Sequence, residues 1–235
     1  MRQRLYLIAL LIFAHVSAGF AHALWIETKG EGILGKEQEV KIFYGEYAEK
    51  EFEATDKWYS DVNTFALWLT TPDGTKKQLT YKSADKAFVA SFTPDKEGTY
   101  VLTVGHSARE IDGTTVYQFN ASAVVAVKSS TIGNAKAIPA NELYLEPGKD
   151  AKGKQGIVKA FYKGQPAAKI TITVSTPSGW SKNFHTDENG VANFELQGKG
   201  WYALEGFYTT EEKGNHFDKP YESIWRCATL RIDVK

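Results

Sequence analysis

The chain has 235 residues, of which 43% are hydrophobic, 24% charged and 13% aromatic. This is the composition of a folded globular protein, and the length suits one large or two small domains. Lys and Arg together number 28, as do Asp and Glu, so the net charge of zero argues against nucleic acid or an anionic membrane as a partner.

The first 21 residues have the organisation of a secretory signal peptide. Arg2 and Arg4 precede an apolar run at residues 5–14, and small residues follow. The run is shorter than the roughly 20 apolar residues of a membrane span. We therefore predict a signal peptide at residues 1–21, export to the periplasm, and no membrane span after signal cleavage.

Two cleavage positions satisfy the preference for small residues, after Ala21 and after Ala23. The first leaves His22 as the new N-terminus and the second removes it. An N-terminal histidine offers one metal ion two nitrogens, the α-amine, with a pKa near 8, and ring Nδ1. Imidazole suits nickel, copper, zinc and iron. The alternative is that His22 is merely a polar residue at a frayed terminus.

Beyond the leader the apolar residues alternate with period two, which predicts strands. The segments are "QEVKIFYG", "TFALWLT", "KQLTY", "AFVASF", "TYVLTVG" and "VYQFNASAVVAV", separated by turn signals such as "TPDG". Short strands at this spacing are typical of a β-sandwich, predicted for residues 22–130. One segment, "AEKEFEATDKWYSDV", does not alternate and is interpreted as a short helix or an irregular insertion.

Residues 131–141 are predicted as a linker, because apolar periodicity disappears there. A second series of strands fills residues 142–235, and "DENG" is predicted as the tight turn of a hairpin. The sequence therefore predicts an all-β fold with two Ig-like or transthyretin-like antiparallel β-sandwich domains in tandem.

Motifs of common enzymes are missing from the sequence: there is no P-loop, dinucleotide fingerprint, HExxH, GxSxG or CxxC. Cys227 is the single cysteine, so no intrachain disulfide can form, and its apolar strand-like setting indicates a buried, inert thiol. The aromatic residues Trp201, Tyr202 and Trp225 are interpreted as core. We predict a non-enzymatic protein.

Three further histidines follow the leader. His106 comes at the end of a predicted strand, His185 lies near a predicted hairpin tip, and His216 lies in the polar loop "TTEEKGNHFDKPYE". The acidic residues of that loop could complete a nitrogen and oxygen site around a metal. The alternatives are a solvated loop histidine at each of the first two positions and an ordinary acidic surface loop at the third.

The motifs "AHALWIET", "EVKIFYGEY" and "HFDKPYESIWRCATL" resemble those of a bacterial periplasmic family of unknown function that is described as a nickel-uptake substrate-specific region. The C-terminal part resembles a transthyretin-like or carboxypeptidase-regulatory-like sandwich. The resemblance covers nearly the whole mature chain. It implies the handling of nickel or cobalt beside an uptake system, and it points to His22 and His216.

The leading hypothesis is a periplasmic metal-binding accessory protein with His22, His216 and His106 as metal ligands. Nickel or cobalt is favoured over copper or zinc, and an inner-membrane metal transporter is the expected partner because the chain has no pore of its own. One alternative is an envelope-associated binding module for a glycan, peptide or protein, with no metal. Another is a copper oxidase with an N-terminal histidine brace.

Overall fold

Strands form almost all the regular structure of the computed structural model, which describes residues 22–128, 141–149 and 155–234. The prediction of an all-β fold is confirmed. Within those ranges the one helical element is a 3-10 turn at Val62–Thr64, and no helix is long and apolar enough to cross a bilayer. The predicted signal peptide and residues 131–140 of the predicted linker lie outside the described residues.

Ten strands form the N-terminal half. They are β1 (Ala23–Glu27), β2 (Glu31–Gly32), β3 (Gln38–Glu46), β4 (Glu51–Phe52), β5 (Leu67–Thr70), β6 (Lys76–Leu79), β7 (Lys82–Ser83), β8 (Phe88–Phe92), β9 (Gly98–Asp112) and β10 (Thr115–Val127). A sheet in the order β1-β3-β8-β7, with β4 beside β3, faces the β10-β9-β5-β6 part of a larger sheet. Inward residues of both, including Leu24, Ile42, Leu69 and Phe119, share one buried core.

Eight strands form the C-terminal half. They are β11 (Leu143–Lys149), β12 (Gln155–Tyr162), β13 (Gln165–Pro166), β14 (Thr171–Ser175), β15 (Ser181–His185), β16 (Val191–Glu195), β17 (Gly200–His216) and β18 (Lys219–Val234). β11, β12, β13 and β16 make one sheet, which faces β15-β14-β17-β18. A second buried core, with Leu145, Val158, Ile172 and Leu204, lies between them.

One sheet of nine strands runs through both halves, because β10 and β18 pair side by side. This pairing is parallel, from Thr115 opposite Ser223 to Ser122 opposite Leu230. The sequence predicts antiparallel sheets, and this pair and the β2–β10 pair depart from that pattern. Parallel neighbours need a long connection, which the rest of the C-terminal half supplies. The division into two tandem domains stays a prediction.

The "DENG" turn joins strands of different sheets, so the hairpin predicted there is wrong. β15 pairs with β14 in the nine-stranded sheet, whereas β16 pairs with β12 in the facing sheet. The tight turn itself is present: the Gly190 amide donates to the Asp187 carbonyl at 2.9 Å, with Gly190 at φ +72°. Local turn chemistry therefore marks a reversal of the chain without specifying which strands pair across it.

Polar side chains buried between the two halves hold them in register. Asn120 Nδ2 donates to the Cys227 carbonyl at 3.0 Å, and Ser122 Oγ donates to the Leu145 carbonyl at 3.0 Å. Asn141, the last residue of the predicted linker, is buried and donates through Nδ2 to the Val104 carbonyl at 2.8 Å. Directional bonds of this kind fix one arrangement where apolar packing alone would tolerate several.

Arg226 on β18 is fully buried and joins three elements of the C-terminal half. Its Nε donates to Glu142 at 2.8 Å, and Nη2 donates to Glu212 at 2.8 Å. Nη1 donates to Thr210 Oγ1 at 2.6 Å, and the guanidinium lies 5.1 Å from the ring centre of Tyr162. A buried guanidinium needs this many acceptors to offset the loss of hydration.

The Arg226→Ala variant should lose about 3 kcal/mol of unfolding free energy, because its partner carboxylates lose their cation while the core gains a cavity. Urea unfolding followed by far-ultraviolet circular dichroism measures this loss. The matched control is Lys213→Ala, which removes an exposed ion pair with Glu222 and should change stability by less than about 1 kcal/mol. Equal effects of the two substitutions would contradict a stabilising role for the buried network.

Candidate metal centre

His22 lies immediately before β1 and packs on a buried ring. Its imidazole meets Tyr44 edge to face, with ring centres 5.5 Å apart, and its side chain keeps 31% exposure. The next residue, Ala23, is fully buried and pairs with Gly45. His22 is therefore held beside β3 by the strand that it precedes.

A carboxylate stands next to His22. Glu53 Oε1 lies 4.0 Å from His22 Nδ1, and the Glu53 side chain is 41% exposed. The Glu53 backbone is fixed on both sides: its amide donates to the Tyr44 carbonyl at 2.9 Å, and its carbonyl accepts from Trp58 Nε1 at 3.3 Å. The imidazole, just before β1, and the carboxylate, just after β4, thus approach each other near water, because both strands pair with the end of β3.

His106 on β9 is held by Asp61. Its Nε2 lies 3.0 Å from Asp61 Oδ1, which also accepts the Arg109 amide at 2.8 Å. Partial burial acts to raise the pKa of Asp61, but the bonds from His106 and Arg109 outweigh it and the pKa lies below its ordinary value. The structure therefore gives His106 a carboxylate partner that fixes its ring.

His216, at the end of β17, reaches the same region of β9. Its Nε2 lies 2.9 Å from the Ala108 carbonyl oxygen, and its ring meets Phe217 edge to face at 4.7 Å. The polar loop predicted here is wrong, because most of it belongs to β17 and β18 and only residues 217–218 lie between the two strands. Glu212, on β17, bonds to Arg226. Of the nitrogen and oxygen site predicted in this segment, His216 is bonded to a backbone carbonyl and Glu212 to an arginine.

The three predicted ligands lie in one region without converging on one point. His106 stands opposite Phe119 in the β9–β10 register, and Phe119 contacts Tyr44, on which His22 packs. In the part of the chain that the structure describes, no three His, Cys, Asp or Glu side chains form a metal-binding group. Both His22 with Glu53 and His106 with Asp61 bring an imidazole nitrogen near a carboxylate oxygen, and the His22 pair is the more exposed of the two.

Sequence reasoning missed both carboxylates that accompany these histidines. Glu53 and Asp61 lie in "AEKEFEATDKWYSDV", the one segment of the N-terminal half that does not alternate. It folds as β4, a series of turns and the 3-10 turn, which corresponds to the irregular insertion. Broken periodicity was the available signal, because a segment free of sheet pairing can direct polar side chains toward neighbouring strands.

The predicted buried state of Cys227 is confirmed, with 1% exposure. Burial and the neighbouring Glu205 carboxyl raise the pKa of the thiol. A protonated, covered thiol is a poor nucleophile and a poor metal ligand. The aromatic residues predicted to lie in the core do pack there: Tyr202 is buried, and Trp201 and Trp225 pack against the buried cluster around Trp25.

The family model described as "Domain of unknown function (DUF4198)" matches residues 19–210. The chain belongs to the DUF4198 family. This confirms the predicted membership of a family of unknown function. No curated protein matches the chain.

Two solved structures, both of bacterial alpha-2-macroglobulins, align with this chain at low similarity. For trypsin-activated alpha-2-macroglobulin from Escherichia coli the identity is 10%, the coverage 91% of this chain and 16% of that chain, and the TM-score 0.29. For Salmonella alpha-2-macroglobulin reacted with methylamine the corresponding values are 9%, 89%, 15% and 0.29. The chain thus spans less than a fifth of these proteins, and likenesses at this TM-score carry no inference about fold or function.

The Asp61→Asn variant should lose about 1 kcal/mol of unfolding free energy at neutral pH, a value kept small because the carboxylate is partly exposed. The native pKa of Asp61 lies below its ordinary value of 3.8. The contribution of the Asp61 carboxylate to stability is therefore fully present above pH 3.8 and is lost as the pH falls through the lower native pKa. Urea unfolding should show a smaller deficit at pH 3 than at pH 7.

Asp56→Asn is the control for this comparison, because Asp56 is well exposed and pairs only with Lys57 at 3.8 Å. It should leave stability unchanged within about 0.5 kcal/mol at either pH. A deficit of the Asp61 variant that persists undiminished at pH 3 would show that the carboxylate charge is not its cause.

Proposed function

We propose that this protein is an exported periplasmic accessory protein that binds a transition metal, nickel or cobalt in preference to copper or zinc. Its main ligand is His22 at the mature N-terminus, and Glu53 is the second. It would pass the ion to an inner-membrane metal transporter. The resemblance to a family described as a nickel-uptake region supports the choice of metal and partner.

The observation that carries the proposal is the 4.0 Å separation of His22 Nδ1 and Glu53 Oε1. Once a peptidase frees the α-amine, His22 itself adds a second nitrogen adjacent to its ring. The amine, the imidazole and the carboxylate are then three donors that need no rearrangement of the sheet. Nitrogen with some carboxylate oxygen is a donor set that nickel, cobalt, copper and zinc accept.

The position of β1 supports cleavage after Ala21. Ala23 is fully buried and pairs with Gly45, and Leu24 is fully buried. Its carbonyl accepts the Thr229 hydroxyl of the other half. Cleavage after Ala23 would remove a residue that the fold uses, whereas cleavage after Ala21 keeps β1 whole and leaves His22 at its edge.

His106 and His216 enter the proposal differently from His22. Each has one ring nitrogen bonded within the protein, to Asp61 and to the Ala108 carbonyl respectively. A partner of this kind orients an imidazole and fixes its tautomer, so the opposite nitrogen is available to a metal. Whether either joins His22 on the same ion is decided by variants, since no contact connects these rings directly to His22.

Isothermal titration of the exported protein with nickel should give one tight site. His22→Ala should weaken binding by at least a hundredfold, because the ring nitrogen is lost and the remaining α-amine can no longer form a chelate with it. A variant with one glycine inserted before His22 keeps the ring and displaces the amine, so its affinity should fall between the two. Glu53→Gln should weaken binding by about tenfold, the effect of losing one charged ligand of several.

The matched control is His185→Ala, which removes an exposed histidine hydrogen-bonded to Thr171 in the other half. It should leave nickel affinity unchanged. Tight binding that survives His22→Ala would refute the site, and if that binding is instead lost with His106→Ala or His216→Ala, the site lies at that histidine. Loss with His22→Ala and also with one of these variants would show that both histidines bind the same ion. Absence of stoichiometric metal would leave the glycan, peptide or protein binding module as the better interpretation.

N-terminal sequencing of the protein recovered after export tests the proposal separately. The expected first residue is His22, because this cleavage preserves β1. A mature chain that begins at Leu24 would refute the amine chelate. The measurement needs no metal and no binding assay, so it is independent of the titration.

A further inference from the structure

A small cavity of about 20 Å³ lies where the N-terminal and C-terminal halves meet. Trp25, Glu46 and Tyr47 line it from the first half, and Thr173, Ser175 and Glu205 from the second. A cavity this size has room for about one water molecule. Two carboxyl groups from opposite sides of the seam between the halves therefore face one confined space.

Glu205 on β17 is partly exposed to solvent, as is Glu46 on β3. The Cys227 thiol donates to Glu205 Oε1 at 3.3 Å. Burial is the main cause that raises the pKa of Glu205 to about 8, and the negative charges of Glu46 and Glu49 add to it. At pH 7 the carboxyl is mostly neutral.

The charged groups around the cavity are mainly acidic. Burial raises the pKa of Glu46, with Glu49 and Glu51 acting in the same direction and His22 opposing them. Tyr47 donates its hydroxyl to Glu27 and lies near Arg231. Cys227, behind Glu205, is neutral because burial raises its pKa. The groups that act on Glu205 in the described residues include no cation that could offset its charge.

We propose that the Glu205 carboxyl makes the seam between the two halves pH-sensitive: in its neutral form it keeps the halves closed on the cavity, and its ionisation, against the Glu46 carboxylate, loosens them. This goes beyond the proposed function, since it involves no metal. Ionisation would draw water into the cavity, because a charged carboxylate without a cation must be hydrated. The aromatic walls Trp25 and Tyr47 would then lose their fixed surroundings.

The effect on stability has a definite sign. The native pKa of Glu205 lies above the ordinary value of 4.5. Between these two values the folded protein holds a proton that the unfolded chain has released, so stability falls as the pH rises. The unfolding equilibrium constant should grow by up to about tenfold per pH unit in this interval and level off above about pH 8.

The test uses urea unfolding of metal-free exported protein at intervals from pH 5 to pH 9. In the wild type the unfolding midpoint should fall over this interval, and in Glu205→Gln the fall should be largely lost, because glutamine keeps the shape and cannot ionise. The control Glu195→Gln, at an exposed position on β16, should follow the wild type. Identical pH dependence of the wild type and Glu205→Gln would overturn the proposal.

Two measurements on the wild type keep the proposal testable if Glu205→Gln fails to fold. Carbon-13 NMR of the glutamate carboxyls should show one group that titrates near pH 8, and near-ultraviolet circular dichroism should change with the same midpoint while far-ultraviolet signal stays constant. The proposal would be overturned if all glutamate carboxyls titrated near 4.5. It would also be overturned if one of them titrated near pH 8 without a change in the near-ultraviolet signal.

Discussion

The parallel pairing of β10 with β18 is the constraint on which the rest of the structure depends. It turns two sets of strands into one sheet and fixes the register of one half against the other. Cys227 then falls opposite Phe119, and Glu205 of the adjacent β17 falls across the seam from Glu46. Without this pairing, neither the cavity nor the cluster around Trp25 would exist.

Buried aromatic rings fix the position of the candidate metal centre at the surface. Tyr44 contacts Trp58 and Phe119 within the core, and His22 rests on its outer edge. Trp58 also holds the Glu53 backbone. The two exposed donors are therefore attached to buried rings that cannot move independently, which is the kind of support that keeps a binding geometry fixed in the absence of its ligand.

The sequence was sufficient for the fold class and for residues whose surroundings are set locally. Period-two alternation identified the strands, and the apolar run around Cys227 identified a buried thiol. It was insufficient for relations between distant segments: the parallel β10–β18 pair and the separation of β15 from β16 depend on contacts that no local pattern encodes. The placement of Asp61 beside His106 and of Glu53 beside His22 is also a relation between distant segments, because both carboxylates come from one irregular segment.

The β10–β18 pair also affects the folding of the chain. Thr115 and Ser223, at one end of the pairing, are 108 residues apart. Until β18 arrives, the apolar strand β10 has an open edge that could pair with another chain. Contacts of such long sequence separation form slowly. The N-terminal half by itself should therefore be prone to association through β10, and β18 is the element that closes this edge.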